Sequence, residues 1–199
     1  MLLVKTYEDF LSNLRNKYGE NEKIICLLFL DPTNGDEIGS YLTRRFDYYH
    51  ERSGEYVDFF CAGYHETSNK IRKFNEKDYV DFIKQLEKLT TWQYFGGTNL
   101  LLIRYSDYEL HFDNVYEFNF TRMLIDEIIK DYRYFLDDLI RRIGCEIDYF
   151  LMREQSKRNF KSLWENFSEV LPNIFRRFVK HTSNITTISK YFSPKSIKK

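Results

Sequence analysis

The period of the hydrophobic pattern changes repeatedly along this chain, and the order of those changes limits the fold more than any other feature of the sequence. Short, continuously apolar runs alternate with stripes of apolar residues at helical spacing. The expected elements are a helix at 7–18, a strand at 24–30, a helix at 36–53, a strand at 56–62, a helix at 75–89, strands at 99–105 and 110–120, and a helix at 125–143. Two strands joined by a helix are expected to be parallel neighbours with a right-handed crossover. The series therefore predicts an α/β fold.

Local signals at helix starts and turns refine these boundaries. Thr6 begins a capping-box pattern in which an aspartate replaces the usual glutamate. Asn75 is expected to cap the 75–89 helix, with Phe74 and Tyr79 in the two positions of a hydrophobic staple. The 110–120 region is expected to supply one or two strands, with Asp113-Asn114 as the candidate turn between them. These signals depend only on neighbouring residues.

The length of 199 residues suits one α/β domain with an appended helical segment. The expected division is an α/β domain at 1–144, a helical extension at 145–181 and a flexible basic tail at 182–199. No run approaches the ~18 apolar residues of a membrane span, and the first residues are too few for a signal-peptide core. Three cysteines, Cys26, Cys61 and Cys145, are an odd and widely separated set. Free thiols and a cytoplasmic location are therefore expected.

A net charge of zero conceals a strong asymmetry along the sequence. After Glu169 there is no acidic residue, and the basic residues that follow are Arg176, Arg177, Lys180, Lys190, Lys195, Lys198 and Lys199. The preceding 169 residues are acidic by the same amount. Such a distribution either attracts an anionic partner to one end of the molecule or leaves a solvated tail against an acidic body.

The order β-α-β-α-β-β-α, over roughly residues 23–143, resembles the thioredoxin-like fold. Thioredoxins carry Cys-x-x-Cys after the first core strand, where this chain has Asp31-Pro32-Thr33-Asn34. They place a cis-proline before the third core strand, where this chain has Gly96-Gly97-Thr98. The resemblance thus implies a thioredoxin-like core, with an N-terminal helix and a C-terminal helical extension. It also implies that neither the nucleophilic thiolate nor the usual substrate-presenting backbone is present.

A second resemblance concerns two strand-ending stretches. Leu28-Phe29-Leu30-Asp31-Pro32 and Val57-Asp58-Phe59-Phe60-Cys61-Ala62-Gly63-Tyr64 are similar to segments of bacterial proteins encoded in anti-phage defence loci. Such domains act as accessory or partner-binding modules, so the resemblance implies an antiviral-defence setting. The abundance of Lys, Ile, Asn, Tyr and Phe indicates an AT-rich genome, which fits a bacterial source.

One polar set is expected at the strand ends. Asp31, Asp58 and His65 lie near the ends of predicted strands, and the carboxyl ends of parallel strands commonly form a ligand crevice. The alternative for Asp31 is a turn that caps the next helix. Gly96-Gly97 lacks the lysine and hydroxyl residue of a phosphate loop, and the histidines and cysteines never fall at zinc-ligand spacing. No cofactor and no metal are expected.

The C-terminal third carries the remaining candidates. Arg176 and His181 resemble the Arg-x4-6-His motif of HEPN-type ribonucleases, in which arginine stabilises phosphate charge and histidine performs acid–base chemistry. The same basic and aromatic residues are also compatible with single-stranded nucleic acid. Our preferred interpretation is a protein interface, because a helical extension must bury its apolar face. The expected partner-binding residues are Leu163, Trp164, Phe167, Arg176 and Arg177. The sequence thus predicts a non-redox interaction module that self-associates or binds a larger effector.

Overall fold

The predicted helices and strands follow one another in the expected order, but two helices replace the one expected at 36–53, and additional strands lie at both ends and between residues 64 and 74. The computed structural model describes residues 2–30, 37–52, 57–68, 72–129, 131, 133–137, 139, 165, 168 and 194–195. The strands are β1 Leu2–Val4, β2 Lys23–Phe29, β3 Val57–Ala62, β4 Tyr64–Glu66, β5 Arg72–Phe74, β6 Asn99–Ser106, β7 Glu109–Asn119 and β8 Pro194–Lys195. The helices are α1 Tyr7–Tyr18, α2 Glu37–Arg44, α3 Phe46–Arg52, α4 Glu76–Leu89 and α5 Phe120–Ile125.

Six strands form one mixed sheet in the order β1-β3-β2-β6-β7-β8. The pairs β1–β3 and β2–β3 are parallel, whereas β2–β6, β6–β7 and β7–β8 are antiparallel. The predicted parallel pairing of the two buried strands is confirmed, with Leu28 opposite Cys61. The chain is therefore a mixed α/β protein.

Each face of the sheet has its own apolar core because side chains alternate along a strand. On one face, Cys26, Leu28, Phe59 and Cys61 pack with residues of α2, α3 and the segment after α5. On the other face, alternate residues of β2, β3 and β6 pack with α1, α4 and the segment after α4. The strands contribute Leu27, Phe29, Phe60 and Leu101, and the packed segments contribute Phe10, Leu14, Phe82 and Trp92. Burial on both faces explains why β2 is continuously apolar after Lys23 and why β3 is apolar apart from Asp58.

The two predicted helix starts are confirmed in detail. Thr6 accepts a hydrogen bond from the Asp9 amide at 3.1 Å, and the Asp9 carboxylate accepts one from the Thr6 amide at 3.3 Å. Asn75 accepts a hydrogen bond from the Asp78 amide at 3.1 Å. The rings of Phe74 and Tyr79 contact each other with centroids 5.2 Å apart.

The hairpin between β6 and β7 contains a single strand over 110–120, one of the two predicted alternatives, and lacks the candidate turn at 113–114. Its turn is at Asp107 and Tyr108, both with positive φ, and β7 continues through Asp113-Asn114. Leu102 pairs with Tyr116 and Arg104 with His111, so one residue of β6 faces four residues of β7. The turn propensity at 113–114 thus produces an enlarged bulge instead of a chain reversal.

The helix predicted at 125–143 is wrong at its start. Asn119 caps α5 by accepting a hydrogen bond from the Arg122 amide at 2.8 Å, and α5 ends at Ile125. Glu127 then has a φ of 54°, and Ile128 donates to the Met123 carbonyl at 2.8 Å, which reverses the chain locally. Residues 133–137 are helical again, and 140–143 lie outside the described residues.

The N-terminal region and the tail add pairings that the sequence pattern does not predict. Strand β1 forms one edge of the sheet, and β4 and β5 form a separate hairpin. Pro194–Lys195 lies in the segment expected to be flexible, yet it pairs with Val115 and Tyr116 at the other edge. The flexibility of the rest of 182–199 stays a prediction.

Candidate functional site

A rigidly held loop connects α4 to β6 and presents one large apolar side chain to solvent. We call residues 90–98 the Phe95 loop. Phe95 is 80 % exposed, whereas Trp92, three residues earlier, is fully buried. Gly96 and Gly97 have φ values of 85° and 71°, a region that favours glycine. The backbone therefore turns sharply directly after the exposed ring.

Hydrogen bonds hold this loop from both sides. The Glu87 carboxylate accepts a hydrogen bond from the Tyr94 amide at 2.9 Å. The Tyr94 hydroxyl donates to the Gly97 carbonyl at 2.8 Å and accepts from the Tyr79 hydroxyl at 2.7 Å. The Asn99 side-chain amide donates to the Gly96 carbonyl at 3.0 Å. These bonds fix the backbone on both sides of Phe95.

The start of α5 packs against the end of the same loop. Thr121 accepts a hydrogen bond from the Thr98 amide at 2.9 Å, and Phe120 donates its amide to the Thr98 carbonyl at 2.9 Å. One helical turn after Thr121, Ile125 is 75 % exposed. Phe95 and Ile125 are thus exposed apolar residues on the two segments that meet at Thr98.

An apolar groove lies beside the loop along α4. Its walls are formed by Phe74, Tyr79, Val80, Ile83 and Tyr94, and its charged residues are Glu76, Lys84 and Glu87. Its volume is about 260 Å³. We call it the α4 groove. Because Tyr94 belongs to both features, the Phe95 loop and the α4 groove share a wall.

The two described cysteines are unsuited to thiol chemistry. Cys26 and Cys61 are free and fully buried. Burial raises the pKa of the Cys61 thiol well above its ordinary value. Burial, followed by the nearby charge of Asp58, does the same to the pKa of the Cys26 thiol. Both groups therefore stay protonated and inaccessible, whereas a nucleophilic cysteine needs a partly exposed thiolate.

Asp58 and His65, two of the three predicted crevice residues, lie far apart in the structure, and Asp31 is outside the described residues. Asp58 is the second residue of β3, and His65 lies in β4, beyond the other end of that strand. The strand from Asp58 to Ala62 alone spans about 13 Å. The predicted crevice is therefore not assembled by these two residues.

Asp58 instead belongs to a buried polar cluster under α1. Its carboxylate accepts hydrogen bonds from the Tyr18 hydroxyl at 2.5 Å and from the Lys17 ammonium at 3.2 Å. Burial, together with the hydrogen bond to Asp58 and its charge, raises the pKa of Tyr18 far above its ordinary value. This arrangement satisfies a buried carboxylate, so we assign it a structural role.

His65 lines a different groove, of about 460 Å³, together with residues of β1 and α1. Arg72 fixes the β4–β5 hairpin beside this groove by donating to both Asp47 carboxylate oxygens, at 2.7 and 2.9 Å, and to the Thr43 carbonyl at 3.1 Å. Both acidic and basic residues line this groove, and no single ligand chemistry follows from it.

The other sequence-predicted site residues fall outside the described part of the chain. They are Leu163, Trp164, Phe167, Arg176, Arg177 and His181. Their roles stay predictions. Sequence reasoning did not single out Phe95, although an aromatic residue directly before Gly-Gly, between a predicted helix and a predicted strand, is a usable signal.

Comparison of the chain with protein-family models, with curated proteins and with solved structures finds no match. Within the described ranges, no helix has the length and apolar character required to cross a membrane.

Proposed function

We propose that this chain is a redox-inactive, thioredoxin-like module that binds a larger effector protein through the Phe95 loop. The order of β2, β3, β6 and β7 with their intervening helices and α5 supports this proposal, if the β4–β5 hairpin is regarded as an insertion in the β-α-β-α-β-β-α series. The burial of Cys26 and Cys61 supports the absence of thiol chemistry. Binding without a covalent step is then the function that this architecture supports best.

The exposure of Phe95 on a fixed backbone is the observation that carries the proposal. Single exposed apolar residues are common on protein surfaces and are by themselves uninformative. Phe95 differs because hydrogen bonds on both sides hold its loop. A rigid anchor loses little conformational entropy on binding, and aromatic anchors often dominate the affinity of an interface.

The position of the loop also supports binding. In the resemblance to thioredoxins, Gly96-Gly97-Thr98 occupies the place of the backbone that presents substrate beside the thiolate. In this chain the Phe95 ring is exposed at that position, and the motif that would supply the thiolate is replaced by Asp31-Pro32-Thr33-Asn34. A partner segment bound there is held and released without reaction.

The resemblance of residues 28–32 and 57–64 to defence proteins suggests the setting. We place the larger effector in a bacterial anti-phage defence complex, in which this chain acts as an accessory subunit. The helical extension, with Trp164 and Phe167 among its predicted contacts, supplies a further surface for self-association.

The test compares variants of equally exposed aromatic residues. The tagged wild-type chain, Phe95→Ser and Tyr134→Ser serve as baits in extracts of the native host, followed by quantitative mass spectrometry. Tyr134 is 75 % exposed and lies outside the Phe95 loop, so it controls for the loss of an exposed ring. We expect one protein to be enriched by the wild type and by Tyr134→Ser. Its recovery with Phe95→Ser should fall at least about tenfold, the loss expected for an interface anchor.

Two results would contradict the proposal. Equal recovery with Phe95→Ser and Tyr134→Ser would remove the Phe95 loop from the interface. Dithiol-dependent reduction of insulin disulfides by the purified chain, abolished by Cys26→Ser or Cys61→Ser, would show that the module is a redox protein.

A further inference from the structure

We infer that the α4 groove of one copy of this chain binds the aromatic and basic segment 172–181 of a second copy, and that two such contacts form a symmetric dimer. The dimer rests on the proposed function, since it supplies the self-association of the same binding module. It uses a surface beside the Phe95 loop, so the effector contact and the dimer contact are separable.

The shape of the α4 groove selects the size of its occupant. Its volume of about 260 Å³ lies below the roughly 300–1,000 Å³ of pockets that hold drug-sized ligands. Its walls are three aromatic rings together with Val80 and Ile83. Such a groove suits one aromatic side chain of a protein segment, packed against rings and branched aliphatic groups.

The charge around the groove selects the flanking residues of that segment. Two carboxylates, Glu76 and Glu87, and one ammonium, Lys84, line it. An aromatic residue with adjacent arginines places a ring in the groove and a guanidinium beside a carboxylate. The groove therefore favours an aromatic residue followed or preceded by basic ones.

Segment 175–180 has this composition and contains no opposing charge. Phe175 and Phe178 enclose Arg176 and Arg177, and Lys180 follows. Whether such a segment is helical or extended, a ring and a guanidinium come from neighbouring positions. Arg176 and Arg177 are also among the partner-binding residues that the sequence predicts.

The charge distribution of the whole chain favours this contact between copies. Residues 170–199 contain seven basic and no acidic residues, so residues 1–169 contain 23 basic and 30 acidic ones. Residues 1–169 are therefore net negative and residues 170–199 net positive, so the C-terminal segment of one copy is attracted to residues 1–169 of another. Reciprocal exchange closes the assembly as a two-fold dimer, because the same pair of surfaces meets twice.

The first experiment measures the self-association of the full chain by sedimentation velocity over a concentration series. Val80→Lys removes an apolar wall and adds a repelling charge. Leu89→Lys is the matched control, because Leu89 lies on the same helix, is likewise 38 % exposed and does not line the groove. We expect the dimer dissociation constant to rise at least tenfold for Val80→Lys, to stay within about twofold for Leu89→Lys and to rise with salt for the wild type.

The second experiment tests the pairing of groove and segment directly. A segment variant, Phe175→Ser with Phe178→Ser, is expected to be monomeric, as is Val80→Lys. Mixing the two variants restores one intact contact, between the groove of the segment variant and the segment of the groove variant. A heterodimer weaker than the wild-type dimer should therefore form, detectable with a fluorescent label on one variant. Circular dichroism of each variant confirms that it is folded.

Specific results overturn the inference. A wild type that stays monomeric at high concentration shows that the segment packs within its own chain or on another partner. Unchanged association of Val80→Lys places the interface elsewhere, and a mixture that does not associate breaks the link between groove and segment. None of these results affects the recovery of an effector through Phe95, so the proposed function is judged separately.

Discussion

Thr121 fills the space beside Gly97 that a side chain would need. A Cβ atom built on Gly97 would lie 2.4 Å from the Thr121 hydroxyl oxygen and 2.6 Å from its Cβ. The same hydroxyl accepts the hydrogen bond from the Thr98 amide at 2.9 Å. Loop and helix therefore approach so closely only because residue 97 is glycine.

Gly97→Ala should destabilise the protein more than Gly96→Ala. Both residues have positive φ, so both variants incur the backbone cost of about 1 kcal/mol. Only Gly97→Ala adds a clash, because no atom lies within 4 Å of a Cβ on Gly96. We expect about 1–3 kcal/mol of additional destabilisation. Urea unfolding followed by tryptophan fluorescence measures it, and equal effects of the two variants would contradict the close contact.

The hydrogen bond between Tyr18 and Asp58 should show strong coupling in a double-mutant cycle. Asp58 is 7 % exposed, so Asp58→Ala leaves the Tyr18 hydroxyl without its acceptor at a cost of about 1–3 kcal/mol. Tyr18→Phe should cost less than Asp58→Ala, because Lys17 still pairs with the carboxylate. We expect the double variant to be less destabilised than the sum of the single ones. Additive free energies of unfolding would rule out this coupling.

Folding stability should decrease in alkaline solution. Burial raises the thiol pKa of Cys26 and Cys61 above the ordinary 9.0, so the folded state keeps protons that the unfolded state releases. Each thiol then lowers the free energy of unfolding by about 1.4 kcal/mol per pH unit above pH 9, until its folded pKa is reached. Burial likewise raises the pKa of Tyr7 to about 12, which extends the decrease.

Unfolding curves between pH 8 and 11 measure this decrease. The variant Cys26→Ala with Cys61→Ala is the control, and its slope should be shallower. Native alkylation followed by peptide mass spectrometry should leave both cysteines unmodified. Rapid modification of either thiol in the folded protein would be inconsistent with the burial described above.

Leu28→Asp should unfold the protein. Leu28 is fully buried, and it pairs with Cys61 of β3 and Leu100 of β6. A carboxylate there lacks a partner in an apolar core, which costs several kcal/mol, a large part of the stability of a typical domain. Loss of the cooperative thermal transition is the expected readout. A soluble variant with an unchanged melting temperature would show that the strand assignment is wrong.

Features that depend on neighbouring residues could be predicted from the sequence. The capping box at Thr6 and the cap and staple around Asn75 follow from side chains within five positions of each other. The strands β2 and β3 follow from continuous burial on both faces. The sequence of each of these elements favours the structure that it adopts, and the tertiary contacts favour the same structure.

Features fixed by distant contacts could not be predicted. The turn at Asp107 and Tyr108 uses two non-glycine residues at positive φ. It is held by hydrogen bonds that the Asp107 and Tyr108 amides donate to the Glu20 and Gly19 carbonyls. Asp113-Asn114 has the stronger turn composition, but pairing of β7 with β6 on both sides keeps the strand continuous. The exposure of Phe95 likewise depends on how the loop packs, which no local pattern contains.

The central position of β2 has a kinetic consequence. Ile24 pairs with Val57, 33 positions later, and with Arg104, 80 positions later. Loop-closure entropy opposes both pairings until the later strands are available, and topologies dominated by such distant contacts fold slowly. During that interval β2 has two open edges and two apolar faces, which is the condition for aggregation between unfinished chains. The strand that holds the finished sheet together is thus its most vulnerable part during synthesis, and a polypeptide interrupted before β6 should depend on chaperones to stay in solution.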